Sequence, residues 1–235
     1  MHAFETLFAV PLKCEACVAH VSEKLHELPG IISVNADLKE QLIAVEGTVP
    51  PSKIVSTIQS TGRDAILRGS GKPNSAAVSI LETHAPGVKD PVRGLARIVQ
   101  VSPEHSIIDL SIKGLSPGRY FASVRENGDI SKGAVSTGGV WKEGDDVRGD
   151  FGEVEVGEDG TGSAFLERKV AIWELIGRSF VVSKKREGWA ENEKDTICGV
   201  IARSAGVWQN EKTVCACSGK TVWEERKEQV GKGMI

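Results

Sequence analysis

Over the first part of the chain, short apolar runs with a period of two are interleaved with two stretches of helical period. Phe4 to Val10 reads as a strand, and Pro11, which cannot donate to a ladder, ends it. From Glu15 to Leu28 the apolar positions Cys17, Val18, Val21, Leu25 and Leu28 fall on one helical face, and Pro29-Gly30 stops that helix. Ile32, Val34, Ala36 and Leu38 then alternate with polar residues, as a strand with one buried face should, and Gln41 to Val45 reads as its return partner. Pro51 opens a second helix with Ile54, Val55 and Ile58 inward, and Gly62 is placed to end it. Asp64 to Arg68 supplies a short last strand. The predicted order is βαββαβ, a ferredoxin-like unit over residues 1–70.

The pattern then changes. Gly69-Ser70-Gly71-Lys72-Pro73-Asn74-Ser75 reads as a linker. After it come short strand-like runs at Ala76 to Leu81, Gly94 to Val101, Ile107 to Ile112, Tyr120 to Val124 and Phe180 to Val182, separated by turn clusters such as Ser116-Pro117-Gly118 and Glu126-Asn127-Gly128-Asp129. Many short strands with frequent turns predict a β-sandwich or barrel over residues 71–203. Beyond Trp208 the chain is polar and charged, with too little apolar material for a core of its own, so residues 204–235 are expected to form a short mobile tail.

Composition changes this picture little. With 26% charged residues, 40% apolar residues and a net charge of −3, the chain has the profile of an ordinary globular protein and gives no reason to expect a nucleic-acid partner. No apolar stretch reaches the roughly 18–20 residues of a membrane helix, and Met1-His2-Ala3-Phe4-Glu5 lacks the features of a secretory signal. The odd count of five cysteines fits a reducing compartment, and a cytoplasmic location is expected.

The cysteines carry the candidate chemistry. Cys14-Glu15-Ala16-Cys17 falls at the start of the first helix, where the partial positive charge of the N-terminus favours thiolate, and Cys215-Ala216-Cys217 lies in the tail. In an extended segment residues two apart face one side, so Cys215 and Cys217 converge; such a pair holds a soft ion or is oxidised and exchanges with a partner thiol. Soft thiolates select Cu(I), zinc or iron–sulfur clusters. For the first pair two other readings stand beside metal binding: small residues at a helix start, or a thioredoxin-like redox pair, against which the βαββαβ order argues. The five histidines, His2, His20, His26, His84 and His105, form no ligand cluster and read as surface or structural.

Around its first cysteine pair, Leu12-Lys13-Cys14-Glu15-Ala16-Cys17, the chain resembles the heavy-metal-associated domains of copper chaperones and copper-pumping ATPases, with Leu12 where that family carries an inward-packing Met. The resemblance implies Cu(I) as the bound ion. It also places Arg63, in the loop before the last strand, either near the metal to offset a bis-thiolate charge or as a solvated loop residue. The middle region resembles the Greek-key barrel of copper,zinc superoxide dismutase at Gly128-Asp129-Ile130-Ser131-Lys132-Gly133, at Leu175 to Val182 and at Cys198-Gly199-Val200-Ile201. Where that enzyme family carries imidazole ligands, this chain has Ser123-Val124-Arg125, Gly138-Gly139-Val140-Trp141 and Ser183. Of the zinc ligands only Asp150 matches, with Val147 in place of a His, so no complete zinc site is expected in the barrel. Cys198 aligns with half of the family's intrasubunit disulfide and Ala134 with the other half, so Cys198 reads as a reduced core residue, or as a thiol that pairs with a partner.

The tail, with Cys215-Ala216-Cys217 followed by Gly219-Lys220-Thr221-Val222-Trp223-Glu224-Glu225-Arg226, resembles the third domain of the copper chaperones for superoxide dismutase. Taken together the three resemblances imply a metallochaperone that is not itself an enzyme. Cys14 and Cys17 would take Cu(I) from a copper donor. The barrel would dock Cu,Zn superoxide dismutase as a heterodimer along the run Gly199 to Trp208, or form a homodimer through the same face. Cys215 and Cys217 would transfer copper and promote the target's intrasubunit disulfide. The family also implies a fraction in the mitochondrial intermembrane space. A copper store without a client and an active dismutase are the alternatives.

Overall fold

The computed structural model describes residues 1–191, 193–210 and 219–231. Its first unit has the elements in the predicted order: β1 (Phe4–Ala9), α1 (Glu15–His26), β2 (Ile31–Asp37), β3 (Leu42–Gly47), α2 (Pro51–Ser60) and β4 (Ile66–Ser70). The antiparallel sheet runs β2-β3-β1-β4, and both helices lie on one face. Phe8, Ile43 and Val45 from the sheet and Val10 just after β1 meet Val21, Leu25, Ile54 and Ile58 from the helices in one core. Leu12, in the place of the family's Met, is buried in the same core. Ile32 departs from the alternation predicted for β2: it is 61% exposed, because the register with β3 shifts between Ile31 and Ser33 and turns Ile31 inward instead.

The second unit is an antiparallel barrel of β5 (Ala76–Thr83), β6 (Val92–Ser102), β7 (His105–Lys113), β8 (Gly118–Val124), β10 (Asp150–Val156), β11 (Thr161–Arg168), β12 (Ser179–Ser183) and β13 (Thr196–Val200), with a short β9 (Ser131–Ala134) outside the ring. Around the ring the order is β5-β6-β7-β11-β10-β8-β12-β13, and β13 closes it by pairing with β5 at Ile197–Thr83 and Cys198–Glu82. Closure leaves no free edge among these strands. Tyr120, Phe151 and Phe180 fill the interior with Leu81, Ile98 and Leu110, the two Phe rings meeting edge to face at 5.7 Å. A short β14 (Ala202–Ser204) continues along β5, and a four-residue α3 (Ile172–Leu175) precedes β12.

Gly69 to Gly71, the start of the linker read from composition, are built into the fold. These residues are buried, with Gly69 and Ser70 completing β4. The Ser70 N–H donates to the Ala205 carbonyl at 3.2 Å, Gly71 N–H to Glu5 at 2.7 Å, and Val207 N–H to Gly71 at 2.9 Å. A side chain at Gly69 would lie 2.1 Å from the Gly206 carbonyl oxygen, so the glycine permits the close approach. Val207 packs on Leu7 and Ala44, covering the face of the first sheet opposite its helices. Phe4 is sealed against Val99 and Ile107 of the barrel. The barrel also caps α2: the Ser52 N–H and hydroxyl donate to the Asp109 carboxylate of β7 at 2.8 and 2.7 Å.

The tail contains one regular element among its described residues. Val222–Gly231 forms a helix, α4, that is apolar on no broad face. Thr221 starts it with a capping box: its hydroxyl accepts the Glu224 N–H, and the Glu224 carboxylate accepts the Thr221 N–H at 2.8 Å. Arg226 reaches Asp64 of the first unit at 3.6 Å.

Candidate metal centre and docking face

Cys14 is the N-cap of α1, in extended conformation, and its carbonyl accepts the N–H of Cys17 at 2.9 Å and of Val18 at 3.2 Å. That geometry places Cys17 within the first turn and brings the two Sγ atoms to 3.3 Å. The distance is far beyond the ~2.05 Å of a disulfide bond, so the pair is a dithiol. Cys14 is exposed and Cys17 half-buried, leaving the sulfurs open to an incoming ion. The Arg63 guanidinium is the largest influence on the Cys17 thiol, ahead of the backbone at Lys13 and the Cys14 thiol, and together they lower it from 9.0 to about 6. Arg63 thus acts on Cys17 while also donating to the Thr61 carbonyl of its own loop at 3.1 Å. A soft-metal ligand is a thiolate, and here one is supplied at neutral pH without a base.

Cys215 and Cys217 lie outside the described residues. Cys198 lies in the barrel wall with Ala134 and Val181 as neighbours, and burial pushes its thiol up to about 12. That suits the reduced core residue expected from sequence.

The positions where the dismutase resemblance looks for imidazoles are filled by other chemistry. Arg125 is buried, donates to the Gly138 carbonyl through Nε at 3.2 Å and Nη2 at 2.9 Å, and stacks over Trp189 at 4.6 Å. Ser183 accepts the Trp189 indole N–H at 2.8 Å. Asp150 is paired with Arg186 at 2.7 Å, and Val147 is exposed. Trp189 is the partner the sequence reading missed; nothing in the local pattern links it to Arg125 across the intervening strands.

One outer face of the barrel joins three distant segments. Gly128 lies so close to Gly177 that a side chain there would stand 2.2 Å from the Gly177 carbonyl oxygen. Gly177 N–H donates to Ile201 at 2.9 Å, and Ile201 N–H returns to Arg178 at 2.8 Å. Val200 is exposed here and Trp173 beside Gly177 is 70% exposed. The predicted docking run Gly199 to Trp208 is therefore divided. Its first part lies on this face, whereas Gly206 and Val207 are buried at the junction with the first unit. The segments at Gly128 and Gly177 were legible as motifs but not as parts of one surface.

A model of the heavy-metal-associated domain matches residues 6–64, and one of copper/zinc superoxide dismutase matches residues 92–204. The superoxide dismutase 1 copper chaperone of Debaryomyces hansenii is 47% identical, aligned over 99% of this chain and 98% of its own length. That of Saccharomyces cerevisiae is 46% identical over 98% of this chain and 97% of its own. The human copper chaperone for superoxide dismutase is 33% identical over 96% of this chain and 90% of its own. Matched nearly end to end by these relatives, the chain belongs to the family of copper chaperones for superoxide dismutase.

Proposed function

We propose that the chain receives Cu(I) at Cys14 and Cys17, docks an immature Cu,Zn superoxide dismutase subunit on the face around Gly128, Gly177 and Val200, and completes delivery through Cys215 and Cys217. The observation that carries the reading is the exposed dithiol at the start of α1, with Cys17 held as thiolate beside Arg63. An exposed two-thiolate site suits an ion that is cargo, since a third thiol from donor or acceptor can enter and leave by ligand exchange. The barrel serves as a docking mimic of its target: Ser123, Arg125 and Ser183 replace imidazoles, so the chain is not itself a dismutase.

The disulfide step balances as thiol–disulfide exchange. A target thiolate attacks the oxidised Cys215–Cys217 pair, giving a mixed disulfide. The target's second thiolate then closes its own disulfide and expels the tail thiolate. Two electrons pass from the target to the tail, and dioxygen re-oxidises the pair, taking the two electrons and two protons to leave as hydrogen peroxide. The setting expected is the cytoplasm, with a fraction in the mitochondrial intermembrane space.

The test is activation. Copper-loaded chain is mixed with zinc-reconstituted, copper-free, disulfide-reduced dismutase in air with a Cu(I) chelator present. Dismutase activity is expected with the intact chain and is lost with Cys215→Ser/Cys217→Ser, which keeps its first-domain copper. Equal activation by that variant overturns the tail's role, and no activation by either moves the reading to copper storage.

A further inference from the structure

A half-open cleft of about 760 Å³ lies where the first unit, the barrel and α4 meet. Arg63, Arg97 and Arg226 line it, with Asp64 the one carboxylate among the lining residues described. Arg97 rises from β6 and its side chain is only 16% exposed; Arg226 comes from α4 and is 18% exposed. Each faces a carboxylate at 3.6 Å, beyond hydrogen-bond reach. Those carboxylates balance charge at that distance while their hydrogen bonds go elsewhere: Asp109 accepts twice from Ser52, and Asp64 accepts from the Ala65 N–H at 2.8 Å and from Gln59 Nε2 at 3.2 Å. Among the described residues, Nη1 of Arg97 and Nε of Arg226 are buried donors with no acceptor. Burial and the nearby Arg226 both push the Arg97 guanidinium down, against the upward pull of Asp109. Buried guanidinium donors without an acceptor are costly, and an oxyanion placed between the two would satisfy both.

We propose that this cleft is an oxyanion site, in which a phosphate-class anion bridges Arg97 of the barrel and Arg226 of the tail helix. The tetrahedral anion accepts from both guanidiniums and is within the compass of the Ser56 and Ser204 positions that also line the cleft. Because one wall is α4, bound anion fastens the tail helix to the body, and by linkage a docked helix raises anion affinity. The cleft shares Arg63 with the copper centre, but the anion is held by Arg97 and Arg226, so failure of this proposal leaves the chaperone reading untouched.

Calorimetric titration of the full, reduced chain with inorganic phosphate, against chloride at matched ionic strength, tests it, together with hydrogen exchange of the amides of residues 222–231. Saturable one-site binding is expected, weakened at least about tenfold in Arg226→Gln and in Arg97→Gln and unchanged in Arg119→Gln on the exposed barrel surface. Phosphate should slow exchange in α4 of the unsubstituted chain and not in Arg226→Gln, whose barrel fold is checked by near-ultraviolet circular dichroism. No saturable binding, or equal binding by Arg226→Gln, overturns the proposal, as does an equal response to chloride.

Discussion

At the scale of single residues, the chemistry turns on what stands beside each thiol. Cys17 and Cys198 carry the same side chain, yet one is drawn to about 6 by Arg63 and the helix start while the other is pushed to about 12 by burial. Native alkylation followed by mass spectrometry should therefore modify Cys14 and Cys17 at neutral pH and spare Cys198 until denaturant is added. For Cys17 the folded-state value is depressed. Thiolate stabilisation is thus fully present above the ordinary value of 9.0, declines as pH falls, and is gone below about 6. Arg63→Gln removes the largest cause, so the Cys17 titration, followed by thiolate absorbance near 240 nm, should move upward. Protons then compete with copper at pH 7, and apparent Cu(I) affinity there should drop by up to about tenfold for each unit by which the value rises above 7. An unchanged titration would show that Arg63 serves only its own loop, where it donates to the Thr61 carbonyl at 3.1 Å.

At the scale of elements, close backbone approach and helix capping decide what tolerates change. Gly69→Ala would press a methyl group onto the Gly206 carbonyl, with backbone on both sides to resist it. A loss of about 1–3 kcal/mol in urea unfolding is expected, with faster proteolysis near residues 205–210. Thr221→Ala removes the hydroxyl half of the α4 capping box and should cost the helix about 1 kcal/mol, read as faster amide exchange over residues 222–231. The first unit's elements were legible because each helix or strand carries its own period, and Cys14 and Cys17 because their spacing is local. Several barrel strands were not legible. β10 alternates through Phe151, Val154 and Val156, but a bulge between Asp150 and Gly152 breaks the run; in β11, Gly162, Ser163 and Ala164 carry little apolar weight. α4 escaped notice because a charged helix held through Arg226 has no face that a sequence pattern can show.

At the scale of the whole molecule, the two units share groups that neither holds alone. Asp109 accepts from Ser52 of the first unit and lies beside Arg97 of its own barrel. Asp109→Ala leaves α2 uncapped and a buried guanidinium without its counter-charge, and should cost about 3–5 kcal/mol. Spectroscopic probes of both units should lose stability together; a change confined to the barrel would place the cap elsewhere. Val207→Ala should have a subtler effect, exposing Leu7 and Ala44 and separating the unfolding of the two units in calorimetry. The borrowed cap has a consequence for how such a chain could be assembled from parts. The opening residue of α2 follows Pro50, which offers no side-chain acceptor, so the helix obtains from another unit what a free-standing small carrier must encode for itself. An independent carrier grafted onto this barrel would arrive with a cap of its own and no use for Asp109, leaving that carboxylate only Arg97 to face. The reverse graft would release a carrier with a frayed helix and a bare sheet. Exchange of parts in this architecture is thus directional and needs paired changes on both sides of the seam.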